Sequence, residues 1–315
     1  MPRLLLFVLA LGLLPIGTAS AVAQGHVPDG AAPDGTVPGG SPSDSTGAAL
    51  MLWTLADDDN TVALLGSVHF ARPDLFPLAA PIEAAYDSAE VVVFELDLGD
   101  MEAHTMKLVQ AGMFADTTTL ASVLPNPLYA RTLATAQPLG FPEMALAKME
   151  PWMLSMMMSS LDLMSKGYSS GIDQHFHERA VADEKPVRAL ETIDMQIDLF
   201  DSMPMAQQVD FLRVTLDGQA DSAAMMARMT DAWLAGDAQA LAALMDEEME
   251  DTPDLRSSLL LDRNAAWVPQ IEALLDGSDD ALVVVGAGHL VGDDSVVAML
   301  RAKGHEVTQA LDAVR

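Results

Sequence analysis

The sequence predicts an α/β fold, a central mixed β-sheet with surrounding helices and a large helical insertion. Three observations carry this expectation. Short apolar runs bounded by turn residues, which read as buried strands, lie near both ends of the folded part, at 62–65, 91–94 and 282–285. Between them, residues 101–236 read mostly as helix. Two of the strand runs end in the same tetrapeptide, Gly-x-x-His: Gly66-Ser-Val-His69 and Gly286-Ala-Gly-His289. A glycine directly after a strand lets the backbone turn, and a histidine three residues on then sits at the strand's carboxyl end, where open α/β sheets bind ligands.

Taken in order, residues 51–56 and 62–65 flank Asp57-Asp-Asp-Asn60 and predict a hairpin. A helix is expected over 78–89, then the strand 91–94, which runs into Glu95-Leu-Asp97. A short strand over 187–190 interrupts the helical section and leads into Glu191-Thr192. Residues 255–275 are amphipathic and helical in pattern, with Pro269 expected to kink or break them. The strand 282–285, a helix over about 294–302 and a last strand after Gly304 complete the chain. Seven methionines fall within 144–164, and at that density on a helix they read as core filler rather than soft-metal ligands.

Ahead of the folded part, Arg3 and the apolar run 4–14, followed by Ala19-Ser-Ala21 and Ala21-Val-Ala23, have the layout of a secretory signal peptide over 1–23. Residues 24–47 are mostly Gly, Pro, Asp, Ser, Ala and Thr, a disordered linker by composition. One domain is expected over 48–315, exported to the periplasm or outside the cell, with no stable membrane insertion once the leader is cleaved. Cysteine is absent, so no disulfide contributes and any metal would be held by His, Asp or Glu. The formal net charge of −30, from 16 basic and 46 acidic residues, argues against nucleic acid and anionic membranes as partners. The charge is spread along the chain, which fits a solubility adaptation better than a docking patch for cations.

The residues that could carry chemistry are few. Glu95 ends a strand that otherwise buries every side chain, and it can converge with His69 and His289. Two imidazoles and a carboxylate make a first shell for Zn²⁺, Mn²⁺ or Co²⁺ with a position open for water; the plain alternative is strand-end histidines in structural hydrogen bonds. Arg263 is either a salt-bridged arginine or a clamp on an oxyanion. Gly167-Tyr-Ser-Ser-Gly171 matches Gly-x-Ser-x-Gly, but a helix precedes it where a nucleophile elbow needs a strand. Gly167 reads instead as the cap of that helix. His175 and His177 are two apart on a helix and face different ways. His104 and His305 read as surface residues.

The ordered set Leu65-Gly-Ser-Val-His-Phe70, Phe94-Glu-Leu-Asp97, Gly171-Ile-Asp173, Ala189-Leu-Glu-Thr192, Arg263-Asn264 and Val285-Gly-Ala-Gly-His-Leu-Val-Gly292 resembles the TraB/GumN family over about 52–311. Residues 196–200 and Ala232-Trp-Leu-Ala-Gly-Asp237 are similar to the bacterial GumN-type members. The resemblance implies a sheet with pseudo-repeated halves, each carrying one Gly-x-x-His strand end. It implies kinship with Tiki metalloproteases, erythromycin esterases and haem-binding ChaN proteins. It also implies an active site of His69, Glu95 and His289, with Arg263 as electrostatic partner. The expected activity is metal-dependent hydrolysis, most naturally of peptide bonds. The alternatives are a binding protein for haem or another small molecule, or an accessory factor for envelope polysaccharide.

Overall fold

A computed structural model describes residues 48–250 and 252–312; the expected leader and linker lie outside them. Eight strands are described: β1 (Ala48–Ala56), β2 (Thr61–Ser67), β3 (Phe70–Ala71), β4 (Val91–Phe94), β5 (Ser169–Ser170), β6 (Val187–Ala189), β7 (Ala281–Gly286) and β8 (Thr308–Asp312). Six form one sheet in the order β6-β4-β7-β2-β1-β8. The four strands from β6 to β2 run parallel, while β1 pairs antiparallel with both β2 and β8. The expected hairpin is present, its turn closed by Asp57 Oδ1 accepting from the amides of Asp59 and Asn60.

Parallel strands must be covered on both faces, and β2, β4 and β7 are buried almost throughout. The longer helices are numbered here in chain order: α1 (Ala80–Ser88), α2 (Met101–Ala111), α3 (Asn126–Ala136), α4 (Pro151–Ser165), α5 (Ile172–Ala182), α6 (Ile193–Asp201), α7 (Met205–Gly218), α8 (Ser222–Leu234), α9 (Ala238–Met249), α10 (Asp262–Leu275) and α11 (Val296–Ala302). The main core joins the sheet to α1, α5, α6 and α10 through residues such as Tyr86, Phe176, Phe200 and Trp267. The helical insertion has its own cluster, in which Leu120 and Leu146 pack with Leu154 and Met158 of α4 and Leu212 of α7. Of the methionine-rich segment, Met153, Met156, Met157 and Met158 are buried core filler, whereas Met144 and Met164 are exposed.

Three features position the site. β7 lies between β2 and β4, so the carboxyl ends of three strands from distant parts of the chain share one edge. The register is Ser67 opposite Gly286 and Phe94 opposite both Val284 and Ala189. Trp233 of α8 donates its indole N–H to the Gly66 carbonyl at 2.7 Å, which ties a helix to the end of β2.

The helix over 255–275 corrects one expectation. Pro269 lies inside α10, which runs unbroken from Asp262 to Leu275. The irregular turn comes earlier, as a π-helical stretch at Ser257–Leu261 that ends two residues before Arg263. A wider turn shifts the facing of the residues after it, and just past this stretch Arg263 and Asn264 are both buried.

Candidate functional site

β2 ends at Ser67, and the next residues carry His69 into a buried position at the sheet edge. What holds the loop there is a close backbone approach. The amide of Ile172 donates to the Val68 carbonyl at 3.0 Å, while β3 pairs with β5 on the other side of His69. A Cβ on Gly171 would fall on the Val68 carbonyl and within 2.6 Å of the His69 Cα, so only glycine fits. This approach brings Asp173, in the first turn of α5, to 3.1 Å from the His69 Nδ1. The pair is within ion-pair distance but poorly aligned for a hydrogen bond, and the His69 Nε2 is buried with no hydrogen-bond partner among the described residues.

Glu95 follows β4 directly, and its Oε1 accepts from the Gly286 amide at 2.6 Å. Its Oε2 accepts from the Arg263 Nη2, also at 2.6 Å. The Arg263 Nε and Nη2 donate to the two oxygens of Glu191 at 2.8 and 3.0 Å. The Nη1 donates to the Leu259 carbonyl at 3.1 Å and faces the His289 Nε2 at the same distance. A guanidinium has five N–H donors, and all five are engaged. Arg263 is 5% exposed. It is therefore the salt-bridged arginine of the two alternatives, with no donor left to clamp an oxyanion. Glu191 also accepts from the Trp267 indole at 2.8 Å and from the Gln196 amide at 3.2 Å.

His289 ends the short turn after β7. Its Nδ1 lies 2.6 Å from the Asn264 Oδ1, and the Asn264 amide is fixed in turn by donating to the Asp294 carbonyl at 2.8 Å. An amide oxygen only accepts, so the proton is on Nδ1 and Nε2 presents a lone pair to Arg263. Burial and the Arg263 charge push the His289 pKa down to about 3, and the ring is neutral at ordinary pH. Burial would raise the Glu95 pKa, but Arg263 outweighs it and, with the Gly286 amide, holds the carboxyl down to about 2. His69 moves the other way: burial opposes its charge, yet the Asp173 and Glu95 carboxylates prevail and raise its pKa.

The donor set can be tested against a transition-metal ion. His69 fits, because a carboxylate behind Nδ1 and an unengaged Nε2 are the usual arrangement of a ligating imidazole. Glu95 and His289 do not. Their Oε1 and Nε2 lie 3.9 Å apart, but Glu95 is held by Arg263 and the Gly286 amide, His289 by the same guanidinium, and an ion there would meet a fixed positive charge. Among the described residues no group of three His, Asp or Glu side chains is set to hold a metal. A His69–Glu95–His289 shell does not fit this arrangement unless Arg263 moves.

The strand-end argument thus brings Glu95, Arg263 and His289 into one network, with His69 beside it in a small cavity shared with Glu95, Asp173, Gln196 and Val284. Ser169 is exposed on β5 and Gly167, at φ +89°, terminates α4, so no nucleophile elbow forms. His177 is buried against Asp97, 3.1 Å away, while His175 packs on Phe76. His305 pairs with Glu272 at 2.9 Å. His104 is half-buried rather than on the surface.

Sequence reasoning missed Glu191 and Asp173 as site residues. Glu191 carried the signal used for Glu95, a carboxylate just past a short strand. Asp173 stood only within the family-like motif Gly171-Ile-Asp173, and its pairing with His69, 104 positions away, is fixed by tertiary contact alone.

The model of the TraB/PrgY/gumN family matches residues 51–309. The chain belongs to that family. Two TraB-family relatives are similar along most of their length. The uncharacterized protein YbaP of Escherichia coli (strain K12) is 23% identical over 240 residues, covering 76% of this chain and 87% of YbaP. YbaP of Shigella flexneri gives the same figures. No solved structure matches the chain significantly. The family match covers β2, β4, β6 and β7 whole and parts of β1 and β8, so the His69–Asp173 and Glu95–Arg263–Glu191–His289 groups sit on the matched part of the chain.

Proposed function

We propose that the protein is an exported hydrolase of peptide-like amide bonds, with His69 as its acid–base group. The observation that carries this is the His69 imidazole: Nδ1 beside a carboxylate, Nε2 buried and unengaged at the edge where three strands end. In this scheme Nε2 takes a proton from water as the oxygen attacks the carbonyl carbon, then returns it to the leaving nitrogen. Asp173 favours the charged ring that forms in between. Arg263 joins Glu95, Glu191 and His289 into a rigid wall behind the reaction, and its role is positioning.

The test is cleavage of a library of short N-acetylated peptides, read by mass spectrometry. Wild type is expected to release products, and His69→Ala to release none while its melting temperature stays within a few degrees. Because the His69 pKa is raised and the base must be neutral, kcat/KM should climb as pH rises above 6.5. Asp173→Asn should move that limb to lower pH. Full activity in His69→Ala, or a limb unmoved by Asp173→Asn, refutes the proposal.

A second reading keeps a divalent transition metal, Zn, Mn or Co. It is favoured by the carboxylate behind the His69 Nδ1, the pattern that orients ligating imidazoles, and it requires Arg263 to yield. Metal analysis of protein purified without chelator separates the two, since a stoichiometric ion supports the second and its absence from active protein supports the first.

A further inference from the structure

A cavity of about 290 Å³ lies behind the 68–72 segment, far roomier than the one of about 20 Å³ beside the His69 imidazole, and the two share no lining residue. The β3–β5 register explains the separation. Phe70 faces Ser170 and Ala71 faces Ser169, so the next pair is Arg72 with Tyr168. Paired and alternate residues point to one face of a ladder. That puts Val68, Arg72 and Tyr168 on the side toward α8, and His69 on the other. The gap between this face and α8 is the cavity. Val68, Leu75 and Leu234 supply apolar walls, and Tyr168, Thr230 and Asp231 the polar ones.

The polar groups here lack partners. The side chains of Tyr168, Thr230 and Asp231 make no hydrogen bond or ion pair with any described residue. Tyr168 is only 7% exposed, yet its hydroxyl is not closed off from solvent. A helical threonine often returns its hydroxyl to the carbonyl four residues back, as Thr132 does; Thr230 does not. Arg72, the cation of the lining, is already paired with Asp74 at 3.2 Å, so the unmatched charge is negative. We infer that this cavity binds a small primary amine with an apolar body. An ammonium has three N–H donors and no acceptor, and it meets one carboxylate and two hydroxyls able to accept. A dry cavity of about 150 Å³ holds one benzene, so this one has space for a ring and a short chain. The inference is independent of the reaction proposed above, because His69 faces away from the site.

The experiment uses full-length protein labelled with ¹⁵N at its 4 tryptophans, of which Trp233 borders the cavity. It is titrated with phenethylamine and with 3-phenylpropionate, which share an apolar body and differ in charge. Phenethylamine should move the Trp233 indole signal and leave those of Trp53, Trp152 and Trp267 in place; 3-phenylpropionate should move none. Ala227→Phe, which plugs the mouth from an exposed helix position, should abolish the response. Asp231→Asn should weaken the amine about two- to fivefold, and Tyr168→Phe about three- to tenfold. Thr230→Val tests the second hydroxyl if the tyrosine variant does not fold, which the other three indole signals report. Asp58→Asn, in the exposed hairpin turn, should change nothing, and so separates local recognition from the general pull of a chain at −30. A Trp233 signal unmoved by the amine overturns the site. So does an equal response to the acid, or an amine affinity indifferent to Asp231, Tyr168 and Ala227.

Discussion

At the scale of single residues, Arg263 decides how the site behaves. It neutralises two buried carboxylates and holds a neutral imidazole with the same group. Breaking such a buried pair leaves an uncompensated charge, at a cost of about 3–5 kcal/mol. Lysine cannot replace five planar donors with three, so Arg263→Lys is expected to lose stability on that scale, measured by urea unfolding. His69→Ala should lose far less, because its Nε2 makes no bond. Proton linkage gives a second check. The His289 pKa is depressed, so its contribution is fully present above 6.5 and declines as pH falls toward about 3. Glu95 adds a contribution present above 4.5 and lost as pH falls through about 2. Stability of wild type relative to His289→Gln should therefore shrink steadily from pH 6.5 downward. A difference that is flat over that range would show that His289 is not buried neutral.

At the scale of elements, the strands were legible because each apolar run is closed by a glycine or a carboxylate that cannot continue it. β2, β4 and β7 fall where those runs end, and the shared edge followed from parallel pairing. The two-residue ladder between β3 and β5 was not legible, since Phe70-Ala71 and Ser169-Ser170 carry no alternation. Nor was the π-helical stretch, whose sequence Ser257-Ser-Leu-Leu-Leu261 differs in no obvious way from ordinary helix. Arg263 lies two residues past that stretch, and its engagement by Glu191 is a contact between distant segments that could not be read in advance. The β3–β5 ladder has a testable weak point in Gly171. Gly171→Ala should force the 68–69 loop away from α5 and part His69 from Asp173. The expected outcome is a fall in the His69 pKa toward its ordinary value, read by imidazole proton shifts, with the main sheet intact.

At the scale of the whole molecule, the imbalance of 46 acidic over 16 basic residues sets the response to salt. Self-repulsion of a chain at −30 is screened within about 10 Å at 0.1 M ionic strength, so the melting temperature should rise with added sodium chloride and level off once screening is complete. The boundary near residue 48 is equally open to test. Ala48 pairs with Asp312 and Ala49 with Leu311, and Gln309 bridges the Leu50 and Gly236 carbonyls at 2.8 and 2.9 Å. A chain beginning at Ala48 should melt with the full one, whereas one beginning at Trp53 should melt well below it.

The pairing of β1 with β8 also governs where the chain enters and leaves. β1 runs antiparallel to β2, so Ala48 lies at the edge where β2 delivers His69, and Asp312 lies beside it. Both ends of the described domain therefore lie at the sheet edge that carries the carboxyl end of β2. The same neighbourhood makes the order of the chain dispensable. Linking Asp312 to Ala48 by a few residues and opening the exposed Asp57–Asp59 turn gives a circular permutant in which no sheet pairing is cut, and which is expected to fold with the His69 and Arg263 groups in place.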